Sequence, residues 1–135
     1  MAGVVEVAAG LVFHRCKLLI AQRYPEAHVG GLWEFPGGKR ECHETFEQCL
    51  GRELREELDI SVEVHELVEE IAHKYSDREV LLKFYRCTLR KGEPIALGCA
   101  AFRWIKREEL RQYEFPPADA RLLDKLQQSP QLWGE

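Results

Sequence analysis

The segment from Gly37 to Ile60, GGKRECHETFEQCLGRELREELDI, constrains this chain more than any other. Phe46, Leu50, Leu54 and Leu58 recur in it at four-residue spacing, which predicts a helix over Thr45 to Leu58 with one apolar face. Gly51 in its middle costs that helix about 1 kcal/mol. Glu53 and Glu57 project within ~40° of each other and straddle the direction of Phe46 and Leu50, so both carboxylates lean toward the protein. Such a like-charge i, i+4 pair destabilises a helix by about 0.2 to 0.5 kcal/mol unless a cation sits between the two. A hard divalent ion that takes oxygen ligands is the natural occupant. The competing reading is a solvated helix laced with ion pairs, Arg52 to Glu56 among them; it accounts for Arg52, Arg55 and Glu47 and leaves Glu53 and Glu57 unexplained.

Around this helix the chain reads as strands. Val4 to Phe13 and Leu18 to Gln22 are β-rich runs joined by a short polar stretch, which predicts a hairpin. Arg23 to Leu32 reads as loop, Trp33 to Phe35 as a short extended piece, and Pro36-Gly37-Gly38 as a tight turn that needs glycine's conformational freedom. Ile60 to Ala72 and Glu79 to Leu89 form a second hairpin across Ser76-Asp77-Arg78. Phe102 to Ile105 is a short strand, Arg107 to Gln112 a helical turn, and Asp119 to Leu126 a closing helix behind Pro116-Pro117. Pro130 to Glu135 reads as a frayed tail. Strands on both sides of one central helix, with a second helix at the end, predict an α/β sandwich.

At 135 residues, 45% hydrophobic and 31% charged, the chain can bury one core, so a single domain over 1–135 is expected. A formal charge of −4 lacks the basic footprint of a sequence-independent grip on nucleic acid. The five cysteines show no zinc-ligand spacing and read as reduced thiols of a cytoplasmic protein. No apolar run approaches the roughly 20 residues of a membrane helix, and Val4 to Phe13 lacks the flanks of a secretory signal.

The same segment resembles the signature of the Nudix hydrolases: a glycine, five residues, a glutamate, seven residues, then Arg-Glu-aliphatic-x-Glu-Glu-x-Gly-aliphatic. Gly38, Glu44, Arg52, Glu53, Leu54, Glu56, Glu57 and Ile60 fall in register, and Asp59 stands where the pattern has glycine. Asp tolerates a left-handed conformation, so this departure is expected to be local. The similarity to the MutT-type branch extends to AQR at Ala21 to Arg23, LWEFPGGK at Leu32 to Lys39, Asp77-Arg78 and FPPAD at Phe115 to Asp119.

The resemblance implies a Nudix fold, an α/β/α sandwich with a mixed sheet and a catalytic loop-helix-loop. It also implies Mg²⁺, with Mn²⁺ able to substitute, held by the carbonyl of Gly37 and the carboxylates of Glu53, Glu56 and Glu57. Glu53 is either a metal ligand or the general base, and crowding by carboxylates is expected to raise its pKa in the absence of metal. Arg52 orients the glutamates with Glu44, Lys39 faces the phosphates unless it is a solvated turn residue, and Gly38 shapes the loop. A further metal-binding glutamate, six residues before the tryptophan matched by Trp104, is replaced here by Gly98.

Arg23, Phe35, Arg78 and Asp119 match positions that line the nucleotide. An ionised Asp119 only accepts hydrogen bonds, which suits a base edge presenting N–H groups: 8-oxoguanine through N7–H, or cytosine through its amine. The ordinary alternative for Asp119 is a helix N-cap. Phe35 and Trp33 also fit as core aromatics, the better reading for Trp33. Three functions follow: a pyrophosphohydrolase of the 8-oxo-dGTP type yielding nucleoside monophosphate and pyrophosphate, one acting on CTP or methylated dCTP, or a non-catalytic Nudix sensor. Sensors commonly lose the helix glutamates, and all three are present. A nucleoside triphosphate is the expected partner, with no stable nucleic acid, membrane or obligate protein partner.

Overall fold

A computed structural model describes residues 3–27 and 30–134; within the expected loop from Arg23 to Leu32, His28 and Val29 lie outside the described residues. Strand β1 (Val4–His14) turns at Arg15-Cys16 into β2 (Lys17–Gln22), as the two β-rich runs with a polar stretch between them predict. Along β1, Ala9, Leu11 and Phe13 enter one apolar layer while Ala8 and Val12 enter the other. A strand buried on both faces reads as a continuous apolar run, which is how this one appears in sequence.

The sheet is mixed. Strand β3 (Trp33–Glu34) pairs with β2, and β4 (Gly37–Lys39) pairs with the middle of β1. Strand β5 (Ser61–Lys74) is antiparallel to β6 (Glu79–Lys91), and β7 (Ala101–Ile105) is antiparallel to β2. The central contact is parallel: β1 runs beside β6 from Val4 and Glu79 to Phe13 and Thr88. Helix α1 (Phe46–Leu58) covers one face through Leu50, Leu54 and Leu58, and α2 (Ala120–Gln128) covers the other through Leu122 and Leu126. This is the expected α/β/α sandwich. Among the described residues no helix is long and apolar enough to cross a membrane.

Local chemistry sets the bounds of α1. Thr45 caps it, its Oγ1 accepting from the Gln48 amide at 3.0 Å while the Gln48 side chain accepts from the Thr45 amide at 2.9 Å. Asp59 closes it at φ 56°, the left-handed conformation expected where the pattern has glycine.

Two expectations are corrected. Gly37 and Gly38 are not a turn needing unusual dihedrals; they form β4, and neither has positive φ. The tail is not frayed: Pro130–Trp133 forms a 3₁₀ turn that places Trp133, 4% exposed, edge-on to Phe13 at 5.3 Å. The Trp133 indole also donates to the Leu126 carbonyl, and Leu132 packs on the same core, so the stretch is anchored. The closing helix begins at Ala120 and runs to Gln128, slightly beyond its predicted end.

Candidate active site

The sandwich leaves a cleft of about 590 Å³. Its apolar wall comes from β1 and β6 through Val7, Ala9, Leu82 and Phe84, with Phe35. Arg23, Gly37, Gly38, Lys39, Glu57, Arg78 and Asp119, singled out from sequence, line it too. Glu53 sits against Gly38. Arg52, Glu44 and Glu56 are not among the residues that line the cleft, but Arg52 donates to both glutamates.

The two glycines of β4 owe their identity to close approach. A Cβ on Gly37 would lie 2.0 Å from the Ala8 carbonyl oxygen, across the β1 pairing. On Gly38 it would lie 2.3 Å from the Glu53 carboxylate. The strand can press against β1 on one side and admit Glu53 on the other only without side chains.

Arg52 is the hub behind the helix. Its Nη2 donates to Glu44 at 2.7 Å and to the Lys39 carbonyl at 3.1 Å, Nε donates to Glu44 at 3.0 Å, and Nη1 reaches Glu56 at 3.2 Å. Glu53 lies 3.6 Å from Nη1. The Arg52 guanidinium, helped by the Glu41 amide, holds Glu44 down at about 2. Glu56, 59% exposed at its side chain, is on the outer side of this hub.

The inner carboxylates are in the opposite state. Burial pushes Glu57 up to about 8, with Glu34 and Glu53 adding repulsion. Glu53 is raised as expected, but burial is the larger cause; Arg52 opposes it and the neighbouring carboxylates, Glu56 first, add to it.

At the other end of the cleft, Arg23 pairs with Glu34 at 2.8 Å. Burial outweighs that pairing and raises Glu34. Glu34 was missed by sequence reasoning; the only signal is an acid inside the short apolar run Trp33 to Phe35. Asp119 is 7% exposed and its side chain makes no capping bond to α2, so the ordinary N-cap role is unfilled. Burial, then Glu34, lifts it to about 6. Phe35 stacks on Phe115 at 5.0 Å and 15°, and the Arg78 guanidinium lies 5.8 Å from the Tyr75 ring. Trp33 packs on the core and meets Tyr113 edge-on.

The segment before β7 is strapped to the end of α1. The amides of Leu97 and Gly98 both donate to the Glu57 carbonyl at 3.0 Å, and that of Ile95 to Leu58 at 2.9 Å, satisfying carbonyls that a helix end leaves open. A Cβ on Gly98 would meet the Glu57 side chain at 3.0 Å. The missing acid at this position is therefore replaced by direct packing of backbone on Glu57.

Among the described residues no three imidazole, thiolate or carboxylate groups already converge into a ligand cage. The donor set is nevertheless hard oxygen, and the inner carboxylates repel one another in the manner that a bound cation relieves. Mg²⁺ is usually held by one or two carboxylates together with water and phosphate oxygens, so a closed protein cage is not required.

Residues 8–125 match the family described as the NUDIX domain. A CTP pyrophosphohydrolase of Escherichia coli (strain K12) is 39% identical over 120 residues, 89% of each chain. An 8-oxo-dGTP diphosphatase of Proteus vulgaris is 44% identical over 90 residues, 66% of this chain and 80% of the relative. The solution structure of the E. coli ORF135 protein superposes with a TM-score of 0.78 at 38% identity, covering 91% of this chain and 88% of that one. With the NUDIX domain matched over residues 8–125 and a relative 39% identical over 89% of the chain, the chain belongs to the Nudix family and is a Nudix hydrolase.

Proposed function

We propose that this Nudix hydrolase is a single domain over 1–135 that cleaves a nucleoside triphosphate to the monophosphate and pyrophosphate in a Mg²⁺-dependent reaction. The lead substrate is an oxidised purine nucleotide of the 8-oxo-dGTP type, drawn from the cytoplasmic nucleotide pool. The observation that carries this reading is the polarity of the cleft, which has crowded carboxylates against the glycine strand and one buried acceptor, Asp119, beyond the apolar wall.

Nudix hydrolases generally use a divalent metal; here the Gly37 carbonyl, Glu53, Glu56 and Glu57 would hold it. Bound there, the ion supplies charge neutralisation at the phosphates and a more acidic water. Lys39 offers a further positive charge to the phosphates. Glu53, with its raised proton affinity, suits the acceptor of the proton from the attacking water, while Arg52 fixes its orientation from 3.6 Å. Water then adds across one P–O–P bridge, hydroxyl to phosphorus and proton to the leaving oxygen. Phe35 on Phe115 offers a flat wall for the base, and Asp119 accepts from its N–H edge.

A second reading, a pyrimidine triphosphate such as CTP or methylated dCTP, is favoured by the relative of that activity that matches 89% of each chain. Pyrophosphate release from a panel of canonical and oxidised nucleoside triphosphates, with Mg²⁺ and with EDTA, tests both. Metal-dependent release greatest with 8-oxo-dGTP is expected. Preference for cytosine nucleotides moves the substrate to the pyrimidine class, and silence across the panel removes the proposal.

A further inference from the structure

The turn between β1 and β2 forms a second concavity, of about 220 Å³, away from the cleft. Four cations line it, Arg15, Lys17, Lys106 and Arg107, with Cys16 and Trp133; among the described residues Glu108 is the one carboxylate that lines it. Lys17 opens β2 and Arg23 follows its last residue, so the concavity and the cleft lie ~20 Å apart at ~3.3 Å per residue.

Three features set this place apart. The chain as a whole is acidic, with 23 carboxylates against 19 lysines and arginines, yet here the balance reverses. Elsewhere arginines such as Arg23, Arg40, Arg52, Arg86 and Arg121 are matched to glutamates. Among the described residues Arg15, Lys17, Lys106 and Arg107 meet no carboxylate within ion-pair reach. Arg107 is instead held by its Nη1 donating to the Gln127 carbonyl at 2.7 Å, with Gln127 Nε2 donating back to the Arg107 carbonyl at 3.2 Å.

The backbone carries the third feature. Arg15 and Cys16 lie between the paired residues His14 and Lys17 and have φ of 52° and 65°. A two-residue hairpin turn with positive φ at both positions favours Asn-Gly, so Arg and Cys hold it at a cost in strain. Arg15 thus stands exposed at the tip of the turn, next to Cys16 and Lys17.

We propose that this basic concavity is a binding site for a small multivalent phosphate anion, distinct from the catalytic cleft. Its size suits a di- or triphosphate group, and its ammonium and guanidinium donors suit phosphate oxygens. The anion is either free inorganic pyrophosphate or the phosphate tail of a nucleotide.

The test is a ¹⁵N–¹H spectrum of the full chain in EDTA, titrated at constant ionic strength with inorganic pyrophosphate and, separately, with a non-hydrolysable nucleoside triphosphate analogue. Saturable shifts are expected at the amides of Cys16, Lys17 and Lys106 and at the Trp133 indole N–H. A Lys17→Ala/Lys106→Ala variant should weaken them by about tenfold or more while leaving shifts at Gly38 and Lys39 unchanged. Arg15→Gly, which relieves the turn, should weaken the same shifts without loss of thermal stability. Saturation by pyrophosphate supports a free anion as the ligand, and saturation by the analogue alone supports a nucleotide tail. Shifts confined to the cleft, shifts that do not saturate, or shifts unaltered by the variants overturn the site.

Discussion

The outer and inner carboxylates of one helix signature end in opposite electrostatic states. Glu44 and Glu56 share the guanidinium of Arg52, and Glu44 is held at about 2. Glu57, one turn beyond Glu53, is pushed by burial up to about 8, a rise that Arg23 offsets only in part. The residue type is the same throughout. What differs is whether the protein supplies the counter-charge itself or leaves it to a ligand, and a Nudix helix does both within about two turns. Arg52 ties Glu44 and the Lys39 carbonyl to the helix, and the buried Glu57 carries a charge that a bound cation would offset.

This contrast can be broken in order of expected effect. Glu53→Gln should lower kcat on the order of 10²-fold or more in a pyrophosphate-release assay; intact turnover would remove Glu53 from catalysis. Arg52→Ala should cost about 10- to 100-fold in activity, as loss of a group that orients ligands does. Arg52→Lys should not restore it, because an ammonium cannot span Glu44, Glu56 and the Lys39 carbonyl at once.

The pH response sharpens the comparison. A carboxyl raised in the fold contributes stability that is complete below its ordinary value near 4.5 and lost as pH climbs toward about 8. Metal-free Glu57→Gln should therefore melt above the parent at pH 8, by ~5 °C, and match it near pH 4, as differential scanning fluorimetry would record. Added Mg²⁺ should raise the parent at pH 8 and not the variant; equal melting curves at both pH values would refute burial, reinforced by Glu34 and Glu53, as the cause of the raised Glu57. The smallest effect is expected at Gly51, where a methyl group meets nothing closer than Arg55 at 3.6 Å. Gly51→Ala should gain about 0.5 to 1 kcal/mol with activity unchanged, read from urea melts.

Local patterns were legible in the chain. Spacing of Phe46, Leu50, Leu54 and Leu58 gave the helix, β-rich runs joined by polar turns gave both hairpins, and the Arg52 hub followed from the motif. What depends on distant parts of the chain meeting was not legible. Gly37 and Gly38 looked like turn glycines because nothing near them reveals that Ala8 and Glu53 press from either side. Glu34 looked like an ordinary strand residue until Arg23, Glu57 and Asp119 were brought around it. Trp133 sits in a stretch whose composition points to solvent, and only the pocket made by Phe13 and Leu126 explains its burial. Asp119 carried two equally ordinary readings; its burial and its missing capping bond now favour the cleft.

The parallel pairing of β1 with β6 has a consequence for how the chain is made. Each residue of β1 finds its partner about 75 positions later. On a ribosome adding ~5–20 residues per second, β1 has left the exit tunnel several seconds before β6 is synthesised. During that interval the apolar segment from Ala8 to Phe13 has one edge without its native partner, at the stage when an exposed strand is most prone to join another chain. The signature helix and its glycine strand are complete early, but the cleft beside them gains its Leu82 and Phe84 wall only late in translation. For this enzyme, the wall of the cleft is completed only once the chain has been made as far as β6.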